Sequence, residues 1–183
     1  SEMSNRDGGF YSAVDAESEG KEGKFYSWDK KELNNILKNE YKYLLKEINL
    51  KNNFEDKIII TLCKSKDVLS EKIRIKLFNE RNKRIKPITD KKIICSWNSI
   101  VLIGIINAYQ ATKDISYLEK ANKNIAFIKN KLLNKNQLYR ILGIKKLGYI
   151  DDYAFTIKAF ILYYETTLDR EYLNIARELI EFS

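Results

Sequence analysis

The sequence of 183 residues contains no histidine. That absence excludes Ser-His-Asp and Cys-His nucleophilic chemistry and the H-E-x-x-H metal motif, and it deprives a zinc site of its commonest ligand. Neither a metal nor another cofactor is therefore expected. Cysteine is almost as scarce. Cys63 and Cys95 lie far apart, outside any C-x-x-C arrangement, and each sits among apolar neighbours. They read as free thiols in a reducing compartment, which points to a cytoplasmic protein. Long apolar runs are missing too. The most apolar piece, Ile100–Ile106, is bracketed by Asn98 and Asn107, so it reads as a buried helix and not as a membrane span. The first residues show no basic-then-apolar targeting pattern, and they open abruptly in motif-like sequence, as though cut from something longer.

What is present is a globular composition, 44% hydrophobic and 32% charged, in a chain long enough for a real core. The net charge of +8 raises the question of nucleic acid. The lysines, however, are interspersed with acids and asparagines, as in Lys120–Lys135. The densest basic piece, Arg74–Lys86, alternates with leucine, phenylalanine and isoleucine as an amphipathic helix does. Dispersed charge of this kind is a solvated face, and no nucleic-acid partner is expected.

Residues 1–28 are loop-like, with Gly8, Gly9, Gly20 and Gly23. Within them Asp15, Glu17 and Glu19 would share one face if the segment were extended. An acidic surface turn and an acidic ligand site are both open readings. Asp29 is a good helix cap after the aromatic Phe25–Trp28. From Lys30 to Glu47 apolar spacing predicts one or two helical pieces, with Leu33, Ile36, Leu37, Leu44, Leu45 and Ile48 facing inward. Asn49–Phe54 is a polar connector, and Lys57–Cys63 is β-branched enough to be extended. A helix is predicted over Asp67–Arg84, with Val68, Leu69, Ile73, Leu77 and Phe78 on one face, ended by Lys86-Pro87.

The second half predicts helices at Lys92–Thr112, Ser116–Leu133, Asp151–Thr167 and Arg170–Phe182. Between the second and third, Leu138–Ile150, with Gly143 and Gly148, reads as a small β-hairpin loop. An internal repeat runs through these helices. T-K-D-I-S-Y-L-E-K-A (Thr112–Ala121) recurs as T-L-D-R-E-Y-L-N-I-A (Thr167–Ala176). Asp114, Tyr117, Leu118 and Ala121 return as Asp169, Tyr172, Leu173 and Ala176, an offset of 169 − 114 = 55 residues. Each copy is a helix, a tight aspartate-capped turn and a returning helix, with the tyrosine and leucine expected to clamp the pair. The fold class is therefore all-α, built of stacked αα-hairpins with small β excursions, either open as a solenoid or closed as a toroid.

Asp151 and Asp152 stand at the start of a helix in G-Y-I-D-D-Y-A-F. One carboxylate can cap the helix and sit at the positive end of its dipole. The other is either a second helix-start acid or a group directed into a concave site, and the spacing alone does not choose between them.

Taken together, five segments in order resemble one family: G-G-F-Y-S-A-V-D-A-E-S-E-G with G-K-F-Y-S-W, N-N-F-E-D-K, K-L-F-N-E-R-N-K-R-I-K-P, T-D-K-K-I-I-C-S-W-N, and G-Y-I-D-D-Y-A-F. The family is the thioredoxin-domain-containing group (DUF255) that includes spermatogenesis-associated protein 20 and the bacterial YyaL-type proteins. The resemblance implies an N-terminal thioredoxin-like domain followed by an (α/α)6 toroid similar to six-hairpin glycosidases. This chain resembles only the middle of that toroid: rim loops over 1–28, first helices and connectors over 29–91, and two αα-hairpins over 92–183. The thioredoxin-like part and the closing hairpins are expected to be absent. They are then candidate partners, and open hairpin edges are expected to favour self-association.

The resemblance places Asp15, Asp90, Lys91, Trp97, Asn98, Asp151, Asp152 and Tyr153 on motif positions lining a central cleft. The candidates for catalysis are Asp151, Asp152, Asp90 and Asp15. Those for ligand binding are Asp15, Glu17, Trp97, Asn98, Tyr153 and Lys91. Two departures stand out. Ile88 and Thr89 occupy positions where the family pattern has a histidine and an aspartate, and Asp56 replaces a glycine. The implied reading is a fragment that binds a carbohydrate-like or other small polar ligand in an acidic cleft without catalysis of its own. The alternative is a glycoside hydrolase-like enzyme using two carboxylates, with aromatics stacked on the sugar. Histidine-dependent epimerase chemistry is excluded by composition.

Overall fold

The computed structural model describes residues 2–47, 53–54, 57–61 and 70–183. Expectations for Ile48, Asp56, Cys63, Val68 and Leu69 fall outside the described residues. What is described is mostly helical, with small two- and three-stranded sheets. It divides into two compact units, Val14–Ile88 on one side and residues 1–13 with Thr89–Ser183 on the other.

In the Val14–Ile88 unit the first helical stretch is two pieces. Helix α1, Lys30–Leu37, follows Asp29, whose N–H reaches Glu32 Oε2 at 3.4 Å. It stops where Lys38 takes a φ of +49°, and a 3-10 turn over Lys38–Glu40 leads into α2, Tyr41–Glu47. Helix α3 spans Glu71–Arg81. Leu33 and Leu37 on α1, and Ile73 and Leu77 on α3, are i,i+4 pairs that meet around Trp28, Leu44 and Ile58. Phe78 was expected on the same face as Ile73 and Leu77 but is 52% exposed, with the Arg81 guanidinium 5.6 Å from its ring. Asn53–Phe54 and Lys57–Ile58 form a two-residue antiparallel ladder.

The acidic segment is not one extended strand. Asp15 Oδ1 accepts the Glu17 N–H at 3.0 Å, and Glu17–Ser18 pairs with Lys21–Glu22 around a turn with Glu19 at φ +55° and Gly20 at φ +71°. The local hydrogen bond and the left-handed turn break the alternation, so a common face for the three carboxylates does not follow from extended geometry.

The second unit holds α4 (Cys95–Thr112), α5 (Ile115–Phe127), α6 (Ile150–Thr167) and α7 (Arg170–Phe182). Helix α4 packs on α5 and on α6, and α6 packs on α7. The predicted helix to Leu133 ends earlier, passing through a π-helical turn at Ile128–Leu132 into strands Leu133–Asn134, Gln137–Ile141 and Ile144–Leu147.

The repeat is visible atom by atom in the two turns. Lys113 and Leu168 adopt φ of +57° and +61°, and their N–H groups return to the carbonyls of Tyr109 and Tyr164, each at 2.7 Å. Asp114 and Asp169 then cap the following helices, accepting from Ser116 N at 2.9 Å and Glu171 N at 3.1 Å. Ala121 and Ala176 are both buried, which lets each returning helix approach closely. The tyrosines differ. Tyr172 is buried, with ring centroids 5.4 Å from Phe160 and 4.8 Å from Tyr163, whereas Tyr117 is half-buried.

Candidate functional site

The starts of α4 and α6 meet at Asp152. This residue is in the first turn of α6 and fully buried. Its Oδ1 accepts the Ser96 N–H, in the first turn of α4, at 2.9 Å. Its Oδ2 accepts the Tyr149 N–H at 2.9 Å and Arg140 Nη1 at 2.9 Å. One carboxylate thus caps two helices and is neutralised by one guanidinium, the combination that makes a buried charge tolerable. Gly148 makes room for it, since a Cβ there would fall 3.1 Å from the Asp152 Cβ.

Asp151 is placed differently. Its side chain is 43% exposed and faces the same Arg140 Nη1 at 3.2 and 3.4 Å. Burial opposes the Arg140 charge, but Asp152 and Asp151 outweigh it and hold the guanidinium above its ordinary pKa. The Arg140 guanidinium also lies 4.5 Å from the ring centroid of Tyr149. Between α4 and α6 a buried polar seam continues the cluster: Ser99 Oγ and Thr156 Oγ1 are 2.8 Å apart, and Cys95 Sγ is 3.5 Å from the same Thr156 oxygen. Among the described residues, the buried Ser96 Oγ in this seam has no hydrogen-bond partner.

Tyr153 and Asn98 carry packing roles. The Tyr153 hydroxyl accepts the Leu138 N–H at 3.1 Å, and its buried ring stacks on Phe182 with centroids 6.0 Å apart. The buried Asn98 amide grips Phe10 as a strand neighbour would, accepting Phe10 N–H at 2.8 Å and donating to its carbonyl at 3.1 Å. Asn124 adds a bond to the Gly8 carbonyl at 2.8 Å. The G-G-F motif lies tight in this cradle: a Cβ on Gly9 would fall 2.6 Å from Phe127 Cζ, and one on Gly8 2.7 Å from the Lys123 carbonyl oxygen.

Of the other candidates in this unit, Trp97 is 49% exposed on the first turn of α4 and Lys91 is exposed. The half-exposed Asp90 accepts the Lys92 N–H at 3.1 Å and pairs with the Lys92 ammonium at 3.0 Å, and those bonds hold its pKa below the usual carboxylate value. Asp151 and Trp97 thus stand in the first turns of helices that begin together.

Asp15 and Glu17 belong to the Val14–Ile88 unit and are exposed there. That unit has its own cleft of about 560 Å³, lined by Ser18, Glu19, Lys24, Glu32, Lys57 and Arg84 among others. Arg84 organises it. Nη1 donates to the carbonyls of Lys24, Phe25 and Ser27 at 3.1, 2.8 and 2.7 Å, Nη2 binds Glu32 at 2.8 Å, and the guanidinium lies 4.1 Å from the Trp28 ring centroid.

Sequence reasoning missed Arg140 and Arg84. Arg140 carried a usable signal, being the one arginine of the β-hairpin next to a paired aspartate. Arg84, inside a basic helix-like stretch, carried none. Among the described residues no group of three potential His, Cys, Asp or Glu ligands is placed to hold a metal, and no helix is long and apolar enough to cross a membrane.

These features define a mostly helical chain whose paired αα-hairpins are joined through a shared carboxylate. No family model matches it. Its curated relatives are distant. The uncharacterized protein B0495.5 of Caenorhabditis elegans is 29% identical across 97% of this chain and 31% of its own length. Spermatogenesis-associated protein 20 is 23% identical in the human protein and 24% in the mouse protein, across 97% of this chain and 30% and 29% of theirs. The chain thus spans about three-tenths of the length of the relatives it matches.

Proposed function

We propose that this chain is a ligand-binding portion of an (α/α) toroid of the six-hairpin glycosidase type, within a protein of the spermatogenesis-associated protein 20 kind. The ligand is a small polar, carbohydrate-like molecule, and this chain does not turn it over on its own. The observation that carries the reading is the end of the α4–α6 pair, where the exposed Trp97 indole and the half-exposed Asp151 carboxylate share the side on which both helices begin. An exposed indole offers a flat apolar face for a sugar ring, and a carboxylate at the same end of the helix pair accepts hydroxyl hydrogen bonds. Parallel neighbours α4 and α6, each followed by a returning helix, are the arrangement a toroid repeats.

The absence of turnover follows from Asp152. Glycoside hydrolysis needs two carboxylates free to exchange protons or attack, and Asp152 gives its oxygens to two helix ends and Arg140. A hydrolase reading would have to use Asp151 with Asp90, the other candidate carboxylate of its unit.

Titration calorimetry of the chain against a panel of neutral and acidic sugars tests the proposal. At least one sugar should bind, and Trp97→Ala and Asp151→Asn should each weaken it by about tenfold, the scale of one stacked ring or one charge-assisted bond. Binding that is absent throughout the panel, or equal in parent and variants, overturns it.

A further inference from the structure

The three-stranded sheet in the second unit ends on an open side. Its order is Leu133–Asn134, Gln137–Ile141, Ile144–Leu147, so the last strand is an edge. The stretch from that strand into α6 is unusually apolar for a surface: Ile144, Leu147, Tyr149 and Ile150 are 50%, 49%, 50% and 74% exposed. Four large apolar side chains are thus exposed within seven consecutive residues, and such clustering marks an interaction surface more often than scattered exposed residues do. Between them stand Lys145 and Lys146, both exposed. Lys145 forms no ion pair among the described residues, and the Lys146 ammonium lies 5.0 Å from the Tyr149 ring centroid. Residues 141–150 contain no acid, and Asp151 is already engaged by Arg140.

We propose that Ile144–Leu147 accepts an extended acidic segment of a partner protein as an added strand. Free backbone groups on the open edge supply the hydrogen bonds. Ile141 pairs with Ile144 and Tyr139 with Leu147, so a bulge at Lys145–Lys146 keeps Ile144 and Leu147 on one face. Lys145 and Lys146 select carboxylates, and Ile144, Leu147 and Tyr149 cover the apolar side chains between them. The same lysines disfavour a second copy of this chain, because pairing the strand with itself brings ammonium groups against ammonium groups. The inference is independent of the sugar-binding reading.

Fluorescence anisotropy tests it with the whole chain and a labelled synthetic peptide of alternating glutamate and valine. Two further forms of the peptide are N-methylated, each on one set of alternate amides, and a lysine–valine peptide serves as the opposite charge. The acidic peptide should bind saturably and more weakly as salt rises, and the lysine peptide should not bind. One N-methylated form should lose at least about tenfold, because an added strand directs only alternate amides at its host. The double variant Lys145→Glu/Lys146→Glu, with its helical circular dichroism unchanged, should lose at least about tenfold as well. Failure of the acidic peptide to bind, equal binding of both N-methylated forms, or undiminished binding to the double variant would each overturn the proposal. So would a dimer in sedimentation that the acidic peptide does not dissociate. Sugar binding measured on the same double variant separates this surface from the Trp97–Asp151 site.

Discussion

Asp152, in the first turn of α6, accepts the backbone N–H of Ser96, in the first turn of α4, at 2.9 Å. A side chain that belongs to one helix therefore terminates two, and it couples the first αα-hairpin to the second. The adjacent aspartates, equivalent as letters, divide into a buried cap and a half-exposed carboxylate.

That division predicts unequal costs. Asp152→Asn retains the shape but replaces one acceptor oxygen with a donor facing N–H groups or Arg140, and should destabilise the fold by about 2–4 kcal/mol. Asp151→Asn loses a partly screened pair with Arg140 and should cost under about 1 kcal/mol. Urea unfolding of the two variants beside the parent measures both, and equal costs would contradict the assigned roles.

The Gly9 cradle predicts a steric clash with a specific remedy. Gly9→Ala puts a methyl 2.6 Å from the Phe127 ring, which must shift. The expected loss is about 1–3 kcal/mol, as for other overpacked sites. Phe127→Leu removes the clashing atoms, so the double variant should be more stable than the sum of the single losses implies, by at least about 0.5 kcal/mol. Simple additivity in a thermal-unfolding cycle would rule out this contact as the cause.

Arg84→Lys should behave as a severe substitution. An ammonium cannot serve three carbonyls and Glu32 while lying flat over Trp28, so the Val14–Ile88 unit should lose about 2 kcal/mol or more. Hydrogen exchange should accelerate in the amides of residues 24–37. Exchange unchanged in that stretch would show that the guanidinium geometry is dispensable.

Cys95 should be silent toward thiol reagents in the native chain. It is completely buried beside Thr156 and Ser99, and burial pushes its thiol up to about 12. Because the folded state holds this proton more tightly than the unfolded state, the thiol's contribution to stability is complete below about pH 9 and falls as pH rises toward 12. In a Cys63→Ser background, a disulfide reagent at pH 8 should label Cys95 only after denaturant is added. Rapid native labelling would contradict its burial.

The αα-hairpins were legible because they rest on local rules. Apolar residues at helical spacing, aspartate caps and the 55-residue offset are written along the chain, and the two turns reproduce them bond for bond. Helix ends were less legible. Lys38 breaks the first helical stretch, and a π-helical turn ends the fifth helix, with no glycine or proline to announce either. The candidate site was legible only as a set of residues. Trp97 falls within a predicted helix whose spacing does not tell a core face from an exposed one, and it is half exposed. Tyr153, a natural stacking residue, is buried with its hydroxyl on a backbone N–H.

By itself the sequence determined the helical class, the hairpin repeat and the exclusion of histidine chemistry, because composition and periodicity are properties of consecutive residues. Tertiary structure alone decided that residues 1–13 join Thr89–Ser183, that Asn98 holds Phe10, and that Arg140 serves both aspartates. Those outcomes depend on which backbone N–H groups and charges are brought together across 11 to 88 positions of chain. A carboxylate becomes a cap or a ligand according to how many donors already surround it, and that number exists only after the chain has packed.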